Sequence, residues 1–591
     1  MKNITLMLLV FAFAFIGTSC EDMFGDFLEK PPGIDLTEDD IFASRSQLDQ
    51  YIAALYAQNL ISPLPGHLYR HGSNDTHNEL NSNYVFRMSQ TDEAQFPVGW
   101  YGSHTWTAGA ATVNNLQNDV FWGTRYAGIR MLNLMLERID EAPIDAAYNL
   151  QVRAETHFLR ALAYFELFKR YGGVPIITET FLADEVPQMF VPRATVEEVI
   201  DFIIEECDKA IQDLPNSHPA NWNGRATKGA ALALKSRALL YAASPLYNTA
   251  NPILSMNDPA DNTLICFGNY DVNRWQQAAD AAKALIDWAP LGGRRLITEF
   301  GPESNYEHVW HVMDNDEIIL ADKHSDDQPV RHQRHMFAFI VPNPFGGGQG
   351  PLATHTFIEN YYYKRDGTPQ DWQDSGSNLA QLYEELDPRF HQTIGYQDSY
   401  WNEWFPSIQL YYGPPHGAHY VNNITGYYVR KNIPDNRRWA VAMRHRNWTW
   451  FRLAEAYLNY AEALNEAQGP VAEAYDAVNT IRNRSGMPDL PSGLSQDEFR
   501  ERVRKERTVE FAFEDHRFWD IRRWLIAHHE GVAAGPMRGL RILRDIPPRT
   551  PQTFSYERYV FQERVFPLRY YRLNFPVQEV NKGYLVQNPG W

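Results

Sequence analysis

The spacing of apolar positions divides the chain into helical stretches and long irregular ones. Leu48, Ile52, Leu55 and Tyr56 share one face of a helix predicted over 47–60. From 63 to 111 the periodicity fails, and Asn, His, Gly and aromatic residues take over; loops this long inside a folded chain are usually functional. Helices then come in pairs. The first pair is predicted over 126–139 and 152–171, broken at Pro143, and its second member stops at Tyr171-Gly172-Gly173-Val174-Pro175, a glycine stop followed by proline. Thr195 reads as the N-cap of the next helix, with Glu197 and Glu198 in its first turn. That helix runs to Leu214-Pro215 and is answered by 227–243. A further helix is predicted over 273–288. The last pair, over 451–468 and 471–484, has Leu453, Tyr457, Tyr460, Ala461 and Leu464 as its core stripe.

Repeated antiparallel pairs imply a tetratricopeptide-like layer, although no strict repeat period survives. Between about 290 and 448, Pro, Gly, Asn and aromatics dominate and helix signals are few. Aromatic-rich insertions on a rigid helical frame are where binding surfaces are normally carried. The expected fold class is therefore mostly α: tetratricopeptide-like helix pairs forming a scaffold, with a loop-rich, irregular ligand-binding face and little β.

One late stretch mixes aromatics with both signs of charge. Phe499, Val503, Glu506, Glu510 and Phe513 fall on a single helical stripe, so two carboxylates share a face with two Phe rings. A buried carboxylate is tolerated only when paired, and Arg507, Arg517, Arg522 and Arg523 are the partners within the stretch. Glu514 with Arg517 and Asp520 with Arg523 also stand three residues apart.

Composition narrows the function. The chain has 591 residues, with 54 Lys and Arg against 73 Asp and Glu, a net charge of −19 that argues against a nucleic-acid partner. The cysteines are Cys20, Cys207 and Cys266, which excludes a disulfide scaffold or a cysteine-built metal site. Cys207 lies in an apolar helix and Cys266 in a loop; the sequence leaves open whether they pair. Lys2 precedes an apolar run, Ile4 to Ile16, too short to span a bilayer but suited to a signal peptide. The run ends Ile16-Gly17-Thr18-Ser19-Cys20, which resembles a bacterial lipoprotein signal with Cys20 as the acylated residue, although Gly17 departs from the usual Leu. Glu21-Asp22 resembles the acidic signal that sends lipoproteins of the Bacteroidetes to the outer face of the outer membrane. The other reading is an ordinary secretory signal with a chance cysteine. The domain plan is a signal peptide over 1–19, a lipid-anchored tether over 20–45, and a single domain over 46–591, with regions of about 46–245 and 270–591.

Arg507, Glu510, Phe511, Glu514, Arg517, Asp520, Arg523 and Trp524 match the pattern of the SusD/RagB family of outer-membrane nutrient-binding lipoproteins, and the chain resembles that family elsewhere. Ala154-Glu155 with Phe158-Leu159-Arg160-Ala161, Arg170 to Pro175, Gly224 to Ala231, Arg452 to Ala463 and the ending Gln587-Asn588-Pro589-Gly590-Trp591 are similar to its other landmarks, in family order. The resemblance implies a non-catalytic, lipid-anchored protein on the cell surface. Such a protein captures an oligosaccharide and delivers it to a SusC-like TonB-dependent barrel transporter. A peptide-capturing RagB-type lipoprotein and a surface glycoside hydrolase are the alternatives.

Glycan binding needs flat rings to stack on the C–H face of a pyranose, with carboxylates, amides and guanidinium groups for its hydroxyls. Asp75, Asp92, Trp100, Tyr101 and Trp106 in the first long loop offer both. Tyr361, Trp372, Trp401 and Trp404 form a second cluster with Tyr362, Tyr363 and Tyr400. Each ring is also a candidate for core packing, since most Trp are largely buried. No catalytic residue, metal or cofactor is expected. Phe345-Gly346-Gly347-Gly348-Gln349-Gly350 is no phosphate loop, because no Gly-Lys-Ser/Thr follows. His332 and His335 lack a third ligand. Asp314-Asn315-Asp316-Glu317 begins like a calcium loop, but Ile318 and Ile319 break the alternation.

Replacing Cys20 with Ala is expected to release the protein from the membrane fraction, read by cell fractionation; continued lipid-dependent anchoring of the variant would refute acylation at Cys20.

Overall fold

The structure, a computed structural model of the chain, describes residues 37–60, 83–97, 102–113, 121–181, 186–323, 344, 350–420, 422–431, 433, 448–545 and 553–591. Cys20, Asp75, Trp100, Tyr101, His332, His335 and the glycine run 345–349 lie outside these residues.

The helix pairs are there. α1 (Arg45–Asn59), α2 (Phe121–Arg138), α3 (Ala146–Tyr171), α4 (Val196–Asp213), α5 (Lys228–Ala243), α6 (Asn273–Trp288), α7 (Leu453–Gln468), α8 (Ala472–Arg484) and α9 (Gln496–Glu510) make the scaffold. From α2 to α8 each helix packs on the next, while α9 lies against α7. α3 is its axis: almost every residue from Ala154 to Tyr171 is buried. The start of α4 is the capping box anticipated at Thr195, whose hydroxyl accepts from Glu198 N–H while the Glu198 carboxylate accepts from Thr195 N–H. α3 stops at Gly172, at φ 81°, where a side chain would also meet the carbonyl of Leu264. Cys207 and Cys266 are buried, unpaired thiols.

Two sequence readings need correction. The helix expected from 451 begins at Leu453, because Phe451 and Arg452 belong to β2 (Trp448–Arg452), paired antiparallel with β1 (Ile318–Asp322). The stripe running through Phe513 is not one helix either. α9 ends at Glu510, a turn follows with Phe513 at φ 60° and Asp515 at φ 67°, and the chain resumes as α10 (Arg517–Arg523). Contacts from distant segments hold this break. Glu93 accepts from the Phe513 N–H at 2.8 Å, Tyr306 donates to the Glu510 carbonyl at 2.7 Å, and Lys431 donates to the Ala512 carbonyl at 2.8 Å. These satisfy backbone groups that a helix end leaves open.

A second layer covers one side of the scaffold. It is built from short helices and loops of 350–433 and from the hairpin β3 (Gly535–Arg544) and β4 (Phe554–Arg564), paired from Gly535↔Arg564 to Arg544↔Phe554. It has its own aromatic core, including Tyr362, Trp372, Tyr383, Phe390, Trp401, Tyr427 and Tyr556.

The layers meet at buried charge. Glu510 and Glu506 are indeed buried and paired, but their partners come from elsewhere in the chain. Glu510 pairs with Arg452 at 2.6 Å, with Arg389 at 3.1 Å and with Arg484. Glu506 pairs with Arg389 at 2.6 Å and Arg482 at 2.8 Å. Glu514 pairs with Arg452 and Lys431 instead of Arg517. The Asp520–Arg523 pair forms as expected, at 2.8 Å. Among the described residues Arg522 takes no carboxylate; it donates to the carbonyls of Phe518 and Tyr570 and lies over the Phe518 ring. Burial opposes ionisation of Glu510, but Arg484, Arg452 and Arg389 outweigh it and hold the carboxyl well below the usual range.

Truncating Glu510 would take away a carboxylate shared by three interior guanidinium groups and leave the buried cluster with one positive charge unmatched. Glu510→Ala is expected to cost about 3–5 kcal/mol of stability by denaturant unfolding; a loss below about 1 kcal/mol, the range of a surface pair, would refute a structural role.

Candidate ligand-binding face

The short helix Pro388–Thr393 connects scaffold and surface. Its Arg389 is locked between Asp387, Glu506 and Glu510. Two residues on, His391 lines a cavity of about 520 Å³ in the loop layer, with Glu303, Arg365, Tyr383, Tyr396, Asp398 and Phe554 among the other lining residues. The buried network thereby sets the position of a cavity wall. His391 Nδ1 lies 2.7 Å from the Tyr396 hydroxyl, while its Nε2 has no protein partner among the described residues. Burial, helped by Arg365, lowers the His391 pKa, and burial pushes the Tyr396 hydroxyl up to about 12, so both are neutral at physiological pH. Glu303 and Arg365 pair at the mouth. Neutral ring groups, a carboxylate and a guanidinium thus converge on one space.

The loop 396–408 leaves that cavity as a braced excursion. Asp398, at φ 65°, donates its N–H to the Ile408 carbonyl at 2.7 Å. Buried Asn402 accepts from the N–H groups of Trp404 at 3.0 Å and Phe405 at 2.9 Å. Trp401 turns inward, where a Cβ at Gly395 would come within 3.0 Å of its ring. Tyr400 and Trp404 turn outward, 53% and 39% exposed. Further along, exposed Tyr412 meets Tyr420 edge-on at 5.7 Å, and the His416 and Tyr420 rings are near-parallel at 4.9 Å.

Of the expected ligand contacts among the described residues, Trp404 is exposed. The others are buried, apart from Tyr361, which is half-buried. Asp92 is fully buried; Arg517 donates to it twice, at 2.9 and 2.7 Å, and Tyr361 donates its hydroxyl at 3.0 Å. Asp92 and Tyr361 are thus brought together, as struts that tie the N-terminal loop to the start of α10. Trp106 is 3% exposed and stacks on Tyr570 at 4.0 Å. Trp372 packs against the edge of His355 at 4.7 Å, and Trp401 is in the second core. Large rings gain most by leaving water, and these positions lie under neighbouring segments that the sequence alone does not bring near. Tyr396, His391, Tyr412 and Tyr420 were missed; Tyr411-Tyr412-Gly413-Pro414-Pro415-His416, rings beside turn-formers, was a readable sign of a loop that presents aromatics. Among the described residues no helix is long and apolar enough to cross a membrane, and no cluster of His, Cys, Asp or Glu is arranged for a metal ion.

Two family models match the chain: the SusD family over residues 316–591, and a family described as starch-binding and associating with the outer membrane over residues 26–240. A SusD-like protein of Formosa agariphila is 23% identical over 521 residues, covering 86% of this chain and 87% of its own. A solved SusD-like protein from Bacteroides fragilis superposes with a TM-score of 0.74 at 27% identity, covering 95% of this chain and 100% of its own. A SusD-like carbohydrate-binding protein of the same species gives 0.68 at 21% identity, covering 92% and 99%. The chain belongs to the SusD/RagB family. It is accordingly a non-catalytic binding protein of the outer membrane, lipid-anchored and exposed at the cell surface.

The contact of Glu93 with the turn yields a pH prediction. Burial raises the Glu93 carboxyl to about 8, against the opposing Phe513 N–H. The folded state then holds a proton that the unfolded state releases near 4.5, so this contribution is full at acid pH and is lost as pH rises towards 8. Glu93→Gln is expected to remove that part of the stability loss between pH 5 and 9, in unfolding curves taken across the range; an unchanged pH profile would refute a neutral Glu93.

Proposed function

We propose that the protein captures an oligosaccharide at the face formed by Tyr400, Trp404 and the 520 Å³ cavity, and passes it to a SusC-like TonB-dependent barrel in the same membrane. The carrying observation is the outward setting of Tyr400 and Trp404 on a braced loop that begins at the cavity wall. Exposed rings held in place stack on a sugar without an ordering cost, and pre-organisation of this kind is what weak carbohydrate contacts need. The cavity falls within the usual range for small-ligand sites, about 300–1,000 Å³. Glu303, Arg365, His391 and Tyr396 supply donors and acceptors for hydroxyl groups. The carbohydrate binding reported for the Bacteroides fragilis relative supports the same reading. Acylation at Cys20 and a tether leading from it to a single domain complete the proposal, leaving the face free to meet a barrel beside the anchor; the domain takes in residues 38–42, expected in the tether, because they form a helix whose Phe42 is buried in the scaffold core. Asp75, Trp100 and Tyr101 belong to it as a second source of contacts from the N-terminal loop.

Calorimetry against a glycan panel, with a peptide pool in parallel, tests the reading. A member of the panel should bind, and Trp404→Ala should weaken it by about tenfold, or ~1.4 kcal/mol. Binding from the peptide pool alone, or unchanged glycan affinity in both Trp404→Ala and Tyr400→Ala, would overturn it.

A further inference from the structure

A second cavity, of about 290 Å³, lies between the loop 363–369, the segment 487–491 and α9. Arg389 and Arg482 stand in its wall already paired, with Asp387 and Glu506. Arg502 and Lys505 also line it, one turn apart on α9, and neither forms a salt bridge among the described residues. The Lys505 ammonium donates to the Tyr363 hydroxyl at 2.7 Å and lies 4.8 Å from the centre of that ring; the Arg502 guanidinium lies 5.4 Å from it. Glu498, one turn back, feels Arg502 only through space. In a chain of net charge −19, two half-buried cations of one helix gather on a single ring with no salt bridge among the described residues.

The rest of the cavity is what a sugar ring would meet. Pro488, Pro491, Met487 and Leu490 give apolar surface for C–H faces. Asp366 and Asp489 are exposed at the rim, where carboxylates accept from hydroxyl groups; Asp366 already accepts from Thr368. A free anion without hydroxyls would meet the rim acids and be repelled. A sugar can place its anionic group at α9 and its hydroxyls at the rim. Gly367, at φ 82°, brings its loop so close to Pro488 that a Cβ there would sit 3.0 Å from Pro488 Cγ, which holds the opening at its present width.

We propose that this cavity is a second binding site, for a sugar unit carrying a carboxylate or sulfate group, with Arg502 and Lys505 as the anion contacts and Tyr363 as their brace. It extends the carbohydrate reading of the protein, on which it rests, from a neutral-sugar face to an anionic one. Saturation-transfer NMR with glucuronic acid, glucose 6-sulfate and glucose on the full-length protein tests it. Either anionic sugar should bind in the millimolar range and glucose should not. The Arg502→Gln/Lys505→Gln pair should weaken the anion by about tenfold, and raised salt should do the same, since two charge contacts are lost or screened. Lys505→Gln alone, at a half-buried position of α9, serves if the double variant folds poorly and should show a smaller loss. Trp404→Ala should leave this binding unchanged, which separates the site from the face proposed above. Binding of glucuronic acid alone identifies a carboxylate and of the sulfate ester alone a sulfate group. Binding of neither, binding unaffected in both α9 variants, or binding lost in Trp404→Ala would overturn the site whether or not the other face binds glycan.

Discussion

The sharing of Glu510 among Arg389, Arg452 and Arg484 is the interaction on which the rest of the molecule depends. Those three guanidinium groups come from the loop layer, from β2 and from α8, and the carboxylate sits at the last turn of α9. Taking so many charges out of water is costly, and the arrangement is tolerable only because each charge is matched and hydrogen-bonded. Glu317 bridges Arg452 and Arg484, Glu506 completes Arg389, and Glu514 completes Arg452. Remove one member and the others are left buried with unmatched charge. The cluster is therefore a register device: the loop layer closes on the scaffold in one position or not at all.

Function follows from that position. Arg389 and His391 are two residues apart on one short helix, one fixed in the network and the other in a cavity wall. Tyr396 and the loop bearing Tyr400 and Trp404 continue from the same wall. Arg482 and Glu506 face the second cavity, so the network lies against both openings. A loop-built surface normally gives up precision for variety. Here the rings keep their setting because the loops start from a locked base and are braced by their own hydrogen bonds, such as those to Asn402.

The helical scaffold was legible in the sequence because its signals are local. Thr195 with Glu198, Gly172 before Val174-Pro175, and the stripe Leu453–Leu464 each act within a few residues. The signature stretch was legible as buried paired charge but not in its partners. Arg389 and Glu510 are far apart in sequence, and no periodicity reports such a meeting. The break at Phe513 was hidden for the same reason, since Glu93, Tyr306 and Lys431 hold it. At the ligand face, ring identity was readable and ring exposure was not. Trp401 and Trp404 are three residues apart in one loop, yet one is in a core and the other in solvent, a difference set by Gly395 and Asn402.

Hydrogen exchange in the presence and absence of a bound uncharged oligosaccharide, which the anion contacts of α9 do not select, tests the central claim most directly, because it separates the site from its support. The account predicts new protection in 396–420 and around Pro388–Thr393, with no change in the slow exchange of α9 and α10. Protection confined to α9, α10 and the turn between them would contradict it, for it would place the ligand in the buried network instead of on the surface which that network positions.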